Sequence, residues 1–533
     1  MLADLAVVDQ LVLVFILAFA TILAQPLARR TGLAPAVLMT VFGLVLALIP
    51  AVPNITLEPE LILPLVLPPL LYASARRTSW QQFAGSAGPI LLRAVGLVVA
   101  TAVAVAVIFH LWYPAVPVAA ALVLGAVVAP PDPVAVSALA DRLGLPRRLM
   151  SVLEGEGLFN DVTAIVLYNV AVQAVVTGSF SAWHTAIEFV VSAVVAVVAG
   201  LVLGWVGSRI MRRLEEAPWQ VALGLLLPFA AYGIAEAAHG SAVLAVLVCA
   251  LYLTDAATDF SDSDYRIVGD SFWDVIDMLV TGFAFGLIGL ELSSVLAATG
   301  PDWPRLLSGA GIVIAIVVGL RLVWLMVSTV VFRSWRHNPT ADEPYTWRET
   351  LVTWWAGMRG VATVALALAV PLTTDSGAQF PGRPEILFTA FAVVLFTLLL
   401  QGTTLPAVVR VSHVQADTEV ERALERALWV RILRAELARL EELSAAEKLP
   451  PTVYQRMREG FERRLAHADP ETAGDVKDAD KPLRFSRQIR AISNEVLEAG
   501  RSEAMAARRE PGMPPDLVDR LMRRLDLRPA PFI

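Results

Sequence analysis

The stretch Glu154-Gly155-Glu156-Gly157-Leu158-Phe159-Asn160-Asp161 places three carboxylates and a carboxamide inside an apolar run that extends from residue 149 to residue 176. An ionisable group at membrane depth costs about 2.5–3.5 kcal/mol on insertion scales, so such groups are rare there and mark ion or proton pathways. The stretch therefore predicts a membrane segment that moves charge, and the rest of the chain can be interpreted as the frame around it.

The composition divides the chain into a membrane part and a tail. Of the 533 residues, 56% are apolar and only 17% are charged, whereas soluble domains contain about 25% charged residues. Residues 1–410 contain apolar runs of about 20 residues, the length that crosses a bilayer of about 30 Å. Residues 411–533 are rich in Arg and Glu and predict a mostly helical cytoplasmic tail. The single cysteine, Cys249, excludes a disulfide framework and a Cys-based metal site.

The apolar runs predict an all-α polytopic membrane protein with thirteen transmembrane helices. The first run has Asp4 and Asp9 before it and no basic residue, which is the wrong flank for a cleavable signal peptide, so we expect it to be a span. The predicted spans are 9–27, 33–50, 60–75, 89–111, 116–139, 149–176, 184–208, 219–237, 241–254, 272–292, 308–332, 349–371 and 385–409.

The arginines between the spans predict the orientation. Six loops carry only two of them, Arg305 and Arg383. The alternate loops carry fourteen, namely Arg29, Arg30, Arg76, Arg77, Arg142, Arg147, Arg148, Arg209, Arg212, Arg213, Arg266, Arg333, Arg336 and Arg348. Positive residues concentrate on the cytoplasmic side of a membrane. We therefore expect a multi-pass protein of the cell membrane with its N-terminus outside and its tail inside.

Two of the predicted spans are interrupted. Span five contains Ala129-Pro130-Pro131-Asp132-Pro133, and three prolines cannot continue a regular helix. Span twelve contains Gly357-Met358-Arg359-Gly360. The two spans are seven apart and so cross the membrane in opposite directions. Broken helices at matching positions of two inverted halves are typical of secondary transporters. The sequence thus predicts two inverted six-helix repeats with crossing unwound helices.

Oxygen atoms from spans five and six predict a site for a hard monovalent cation. Asp161 and Asp132 supply carboxylates, and the broken segment supplies free carbonyls such as that of Pro131. The same carboxylates can bind a proton, and burial favours the protonated form. A site that must hold either a cation or a proton before it can reorient is an exchanger. Purely structural roles are also open, because Asp161 and Asp132 could each cap an interrupted helix.

The other charges of the core have structural interpretations. Glu156 lies one turn from Asn160 on one face of the helix, and we expect it to form a buried ion pair with Arg359. Glu154, nearer the cytoplasmic end, is a candidate for a water-filled entrance. Arg321 in span eleven has no partner that can be named from the sequence.

With these residues, the chain resembles the electroneutral branch of the monovalent cation:proton antiporters, which includes the bacterial NhaP-type and animal sodium/proton exchangers. The resemblance covers about 410 residues. The motifs that match are Glu154 to Asp161, Asp132-Pro133-Val134-Ala135-Val136, Gly357-Met358-Arg359-Gly360-Val361, Pro68-Pro69-Leu70-Leu71-Tyr72 and Phe272-Trp273.

The resemblance implies a six-helix transport domain, a dimerisation domain and a homodimer in the lipid bilayer. It implies that Asp161 carries the ion and the proton, that Asp132 contributes to the cation site and that Asn160 bridges to the Glu156–Arg359 pair. Asn160, where other relatives have Asp, implies one-for-one exchange of Na⁺, K⁺ or Li⁺ for H⁺. The chain departs from archaeal members at Gly157 and Pro131, where a hydroxyl ligand is missing.

Several alternatives remain open at this stage. An anion or organic-solute carrier would use Arg359 as its binding charge, and a K⁺-selective proton antiporter would use the same site as a sodium exchanger. An intramembrane aspartyl protease would need a Gly-x-Gly-Asp setting, which neither Asp132 nor Asp161 has. The expectation is therefore a transporter rather than an enzyme. We expect no cofactor, no nucleic-acid partner and no metal ion other than the transported cation.

Overall fold

A computed structural model describes residues 2–31, 33–49, 59–77, 92–132, 136, 143–178, 182–257, 263–298, 303–335, 346–414, 418–446, 450–468, 487–510 and 513–526. Helices dominate these ranges, and the β-pairing within them is one isolated bridge between Thr373 and Gln379. The all-α fold class predicted from the sequence is confirmed.

The membrane part begins with eleven helices in chain order. They are α1 (Leu2–Thr31), α2 (Pro35–Ala47), α3 (Pro59–Arg77), α4 (Val98–Trp112, preceded by a π-helical turn at Leu92–Leu97), α5 (Val118–Val128), α6 (Arg147–Thr177), α7 (Ala182–Met211), α8 (Ala217–Ala237), α9 (Ala242–Ala257), α10 (Ser263–Ala298) and α11 (Trp303–Trp335). The last two predicted spans each contain two helices. These are α12 (Trp347–Trp355) and α13 (Val361–Leu368), then α14 (Arg383–Phe396) and α15 (Gly402–Ser412), with a π-helical turn at Thr397–Gln401 between the latter two.

The lengths and composition of these helices fit a polytopic membrane protein. Eight segments within the described residues are long and apolar enough to cross a bilayer, and four shorter apolar helices accompany them. A helix or a pair of helices overlaps each predicted span, but the count of thirteen crossings and the inverted repeat stay predictions.

The interruption predicted in span twelve is confirmed. Helix α12 ends at Trp355, α13 begins at Val361, and the residues between them are not helical. In span five, α5 ends at Val128, and the chain leaves the helical conformation before Pro130, because proline cannot donate a backbone hydrogen bond and its ring collides with the preceding turn. The continuation of span five lies mostly outside the described residues.

Glycines let some membrane helices approach one another closely. A Cβ atom on Gly43 of α2 would lie 2.1 Å from the carbonyl oxygen of Gly286 in α10. A Cβ atom on Gly289 would similarly lie 2.3 Å from the backbone nitrogen of Leu44. Such contacts between small residues are a main source of helix association in lipid, where no hydrophobic force separates helix from solvent.

The tail forms four helices, as the sequence predicted. They are α16 (Thr418–Ala445), α17 (Pro451–Ala468), α18 (Arg487–Arg508) and α19 (Pro515–Asp526). Two buried clusters hold them together: Leu428 and Ile432 of α16 pack with α18 and α19, whereas Leu433 and Leu440 pack with α17 and α18. Half-buried Trp429 contacts both clusters. The chain forms two compact units, Met1–Ala257 with Asp270–Gln415 and Thr258–Gly269 with Ala416–Ile533.

Candidate functional site

Helix α6 carries the four polar residues singled out from the motif. It is continuous from Arg147 to Thr177, because the two glycines of the motif lie within long stretches of helix-compatible apolar residues. Glu156 and Asn160 are fully buried, whereas Glu154 and Asp161 are half-buried. One face of α6 therefore points into protein, and the neighbouring face, with Asp161, remains accessible.

Asn160 joins α6 to the broken span five. Its side-chain Nδ2 donates a hydrogen bond to the carbonyl oxygen of Pro131 at 2.9 Å. This carbonyl is one of those freed by the interruption of the helix. The Oδ1 atom of Asn160 has no hydrogen-bond partner among the described residues. The bond to Pro131 differs from the expected bridge to an ion pair, and it places Asn160 and Asp161 beside the segment that carries Asp132.

Asp132 binds the start of α13 across the crossing point. Its backbone nitrogen donates to the carbonyl of Met358 at 2.7 Å, and its Oδ2 accepts from the backbone nitrogen of Val361 at 3.2 Å. A Cβ atom on Gly360 would lie 1.3 Å from Oδ2, so only glycine allows this approach. The negative carboxylate thus lies at the N-terminus of a helix, where unpaired N–H groups and the helix dipole favour it. The interpretation of Asp132 as a helix cap is confirmed.

Arg359 binds backbone carbonyls at the ends of the two broken helices. Its Nε donates to the carbonyl of Val128 at 2.9 Å, its Nη2 donates to that of Ala129 at 3.2 Å, and its Nη1 donates to that of Gly357. The C-terminal carbonyls of a helix have no partner within it and carry partial negative charge. A single guanidinium therefore satisfies the ends of both α5 and α12, and all three of its nitrogens are used.

The prediction that Glu156 pairs with Arg359 is wrong. Glu156 Oε1 forms its ion pair with Arg321 Nη1 of α11 at 2.5 Å, and both side chains are no more than 2% exposed. Arg321 also donates from Nη2 to the carbonyl of Thr353 in α12 at 3.3 Å. A Cβ atom on Gly357 would lie 2.6 Å from Arg321 Cδ, so this glycine lets Arg321 reach Glu156. The freed carbonyls are the physical reason for the error, since they offered Arg359 partners that the sequence did not reveal.

Two further site residues were missed by sequence reasoning. Arg321 is visible in the sequence as a charge in an apolar run, and the rule that such a charge must be paired inside a membrane could have directed it to Glu156. Thr397, in the π-helical turn of the last span, accepts a hydrogen bond from the backbone nitrogen of Arg359 at 3.1 Å. A single threonine in an apolar run gives no signal of such a contact.

Comparisons with known proteins agree with this geometry. The family model described as "Sodium/hydrogen exchanger, transmembrane" matches residues 14–411. An uncharacterized Na⁺/H⁺ exchanger of Mycobacterium tuberculosis strain H37Rv is 35% identical over 465 residues, which cover 85% of this chain and 84% of the relative. The Na⁺/H⁺ antiporter ApNhaP of Aphanothece halophytica is 30% identical, with 79% of this chain and 77% of the relative covered.

A further relative and a solved structure add to this comparison. A sodium, potassium, lithium and rubidium/H⁺ antiporter of Bacillus pumilus is 30% identical, and the match covers 75% of this chain and 61% of the relative. The structure of the sodium proton antiporter MjNhaP1 from Methanocaldococcus jannaschii at pH 8 matches the fold with a TM-score of 0.58 at 19% identity, over 75% of this chain and 99% of that one. The resemblance stated from the motifs is confirmed, and the chain belongs to the sodium/hydrogen exchanger family.

Proposed function

We propose that the chain exchanges Na⁺ for H⁺ across the cell membrane, one for one, with Asp161 as the carrier of both ions. The observation that carries this proposal is the state of Asp161. The carboxylate of Asp132 caps α13, and that of Glu156 is bound to Arg321. Asp161 is half-buried and has no hydrogen-bond or ion-pair partner among the described residues. It is therefore available to bind a cation or a proton.

The charges around the crossing point support one-for-one exchange. Three carboxylates (Asp132, Glu156 and Asp161) and two guanidiniums (Arg321 and Arg359) leave one negative charge when all are ionised. One Na⁺ or one H⁺ neutralises it. The two loaded states then carry the same charge, so a membrane potential would not drive their interconversion. The empty state keeps a net charge in a low-dielectric environment, which is costly and opposes its reorientation.

Asp132 and Asn160 complete the cation site in this proposal. Asp132 is half-buried and keeps Oδ1 available beside its bond to Val361 N, and Asn160 holds the carbonyl of Pro131 in place. Carbonyl and carboxylate oxygens are suitable ligands for a hard cation. Glu154, half-buried near the start of α6, lies at the inner entrance.

The membrane orientation is also a proposal, with the N-terminus outside and the tail in the cytoplasm. Exposed Trp205 and Trp219 lie beside the arginine-rich connection between α7 and α8, and exposed Trp112 and Trp303 lie beside the connections assigned to the outside. Tryptophans concentrate at both membrane interfaces. The segment Thr258–Gly269, which contains Arg266, belongs to the same compact unit as the tail. A homodimer in the bilayer is proposed from the family resemblance.

The choice between Na⁺ and other alkali cations is the finer part of the proposal. The relative from Bacillus pumilus carries potassium, lithium and rubidium in its name as well as sodium, so a K⁺-selective exchange at the same site is the second candidate. The anion carrier is disfavoured, because every guanidinium nitrogen of Arg359 already donates to a backbone carbonyl.

Purified protein in liposomes with an imposed pH gradient and an internal pH dye tests the proposal. We expect added Na⁺ to release the gradient, with or without valinomycin and a protonophore to clamp the voltage, and K⁺ and Li⁺ to be ranked in the same assay. Asp161→Asn should abolish exchange, because it removes the group that binds the proton. Asp375→Asn, on an exposed outer turn, is the matched control and should keep it. Cation-driven proton movement that survives Asp161→Asn would refute the proposed carrier.

A further inference from the structure

Tyr168 lies on the same face of α6 as Asp161, two turns closer to the end of the helix at Thr177. Seven residues turn an α-helix to within about 20° of two full revolutions and raise it by about 10 Å. The side chain of Tyr168 is 3% exposed, and its hydroxyl has no hydrogen-bond partner among the described residues. A buried tyrosine usually finds one, and a buried unpaired polar group costs about 1–3 kcal/mol.

The two flanks of Asp161 on this face differ in exposure. Towards Arg147, the face passes Gly157, which has no side chain, and reaches Glu154, which is half-buried. Towards Thr177, it passes Ile165, 1% exposed, and reaches Tyr168. The path from Asp161 is therefore accessible in the direction that the arginine pattern assigns to the cytoplasm and is closed in the other direction.

Charged residues lie beyond Tyr168 on the closed side. Arg383, at the start of α14, donates from Nε to the carbonyl of Val370 at 3.0 Å, just past the end of α13. Arg383 is within electrostatic range of both Tyr168 and Glu291 of α10. Arg383 and Glu291 are both half-buried, which places polar groups on either side of a route to the outer surface.

We propose that Tyr168 is the outer barrier of the cation pathway, that it closes the route between Asp161 and the external solution in this state, and that Arg383 and Glu291 line the route beyond it. This inference rests on the proposed function and orientation. The unpaired hydroxyl raises the free energy of the closed state, and water entering from outside would satisfy it when the barrier opens. The ring therefore closes the path, while the hydroxyl keeps the closure reversible.

A cysteine-accessibility experiment tests both parts of the proposal. Because the chain has one cysteine, Cys249→Ala gives a thiol-free background, and Ile165→Cys then places a thiol between Asp161 and Tyr168. A membrane-impermeant thiol reagent is added outside intact cells that express the full chain. We expect Tyr168→Ala to raise the external labelling rate by about tenfold or more, because labelling follows the population of the open state. Tyr168→Phe should lower it, because the orphan hydroxyl is gone.

Tyr232→Ala and Tyr232→Phe, on half-buried Tyr232 of α8, serve as matched controls and should leave labelling unchanged. Labelling that does not differ between the Tyr168 and Tyr232 variants would overturn the barrier, and so would an increase with Tyr168→Phe. Monodisperse elution of each variant excludes unfolding as the cause. The liposome assay of Asp161→Asn separates the two ideas: Asp161-dependent exchange without a labelling effect refutes the barrier alone, whereas the labelling effect without such exchange refutes the transport proposal alone.

Discussion

The membrane core and the tail use the same arginine–glutamate pairs in opposite ways. In the core, Arg321 and Glu156 meet at 2.5 Å with at most 2% of either side chain exposed. In the tail, Arg431 of α16 binds Glu503 of α18 at 2.8 Å and Glu510 at 2.7 Å, with 40% of the arginine side chain exposed. Desolvation makes the loss of one partner severe in the first case, whereas water replaces a lost partner readily in the second.

The difference shows how the broken helices are stabilised. In the core, charges are matched to interrupted helix ends as well as to each other: Asp132 meets the N-terminus of α13, and Arg359 meets the C-termini of α5 and α12. These positions leave Asp161 as the carboxylate without a structural bond among the described residues of the crossing region. Function in the core therefore depends on what every other charge is already bound to.

The largest effect is expected from removing one partner of the core ion pair. Arg321→Gln leaves Glu156 buried without its cation and should destabilise the protein by about 3–5 kcal/mol, measured by thermal unfolding in detergent. Because the two side chains are in contact, Arg321→Gln combined with Glu156→Gln should cost clearly less than the two single changes together.

The control for this cycle uses the other buried arginine. Arg359→Gln leaves three backbone carbonyls without a donor whether or not Glu156 is present, so Glu156→Gln should rescue it much less than it rescues Arg321→Gln. If Glu156→Gln instead rescued Arg359→Gln more strongly, the ion pair expected from the sequence would be the dominant one, and the assignment of Glu156 to Arg321 would be incorrect.

A smaller effect on stability and a large one on transport are expected at Gly360. Gly360→Ala puts a methyl group 1.3 Å from the present position of Asp132 Oδ2, so the carboxylate must leave the N-terminus of α13. We expect Na⁺-driven proton release in liposomes to fall strongly while the protein remains folded. Gly402→Ala is the matched control, because its Cβ would lie 3.2 Å from the flexible Met358 sulfur. Equal transport by the two variants would show that the bond from Val361 N to Asp132 is dispensable.

The elements of the fold could be predicted from the sequence because each rests on a local rule. Apolar runs of bilayer length predicted the membrane helices, Pro130 and Pro131 predicted the end of α5, and the spacing of Leu428, Ile432 and Leu433 predicted α16. The acid-rich stretch of α6 was also visible, since carboxylates within hydrocarbon are rare and usually belong to ion or proton pathways.

The partners within the site could not be predicted in the same way. Which of two buried arginines reaches Glu156 depends on how α11 and the interrupted span twelve pack against α6, and no local pattern encodes that packing. Gly357 shows the difficulty, because this glycine belongs to the predicted helix break and also makes room for the Arg321 side chain. The barrier proposed at Tyr168 likewise became visible only when burial was compared along one face of α6.

The smallest effect is expected in the tail, where Arg431→Gln should lower the unfolding temperature only slightly. The hydrogen bond from Arg431 holds the pKa of Glu510 below its usual range. A carboxyl group whose folded pKa is lowered stabilises the fold above its unfolded pKa, and this contribution is lost as the pH falls through the folded pKa. The difference between the wild-type chain and Arg431→Gln should thus be complete at neutral pH and vanish in acid, as followed by hydrogen exchange of α18.

The control for the tail is an arginine whose ion pair stays within one helix. Arg458 pairs with Glu462 at 2.7 Å inside α17 and joins no second helix through that pair, so Arg458→Gln should leave hydrogen exchange of α18 unchanged. A difference between wild type and Arg431→Gln that persists in acid, or one no larger than that of Arg458→Gln, would show that the Arg431 pairs do not hold α16 to α18. Burial of Leu433 and Leu440 would then supply that attachment, because water can replace an exposed ion pair but cannot replace apolar contact.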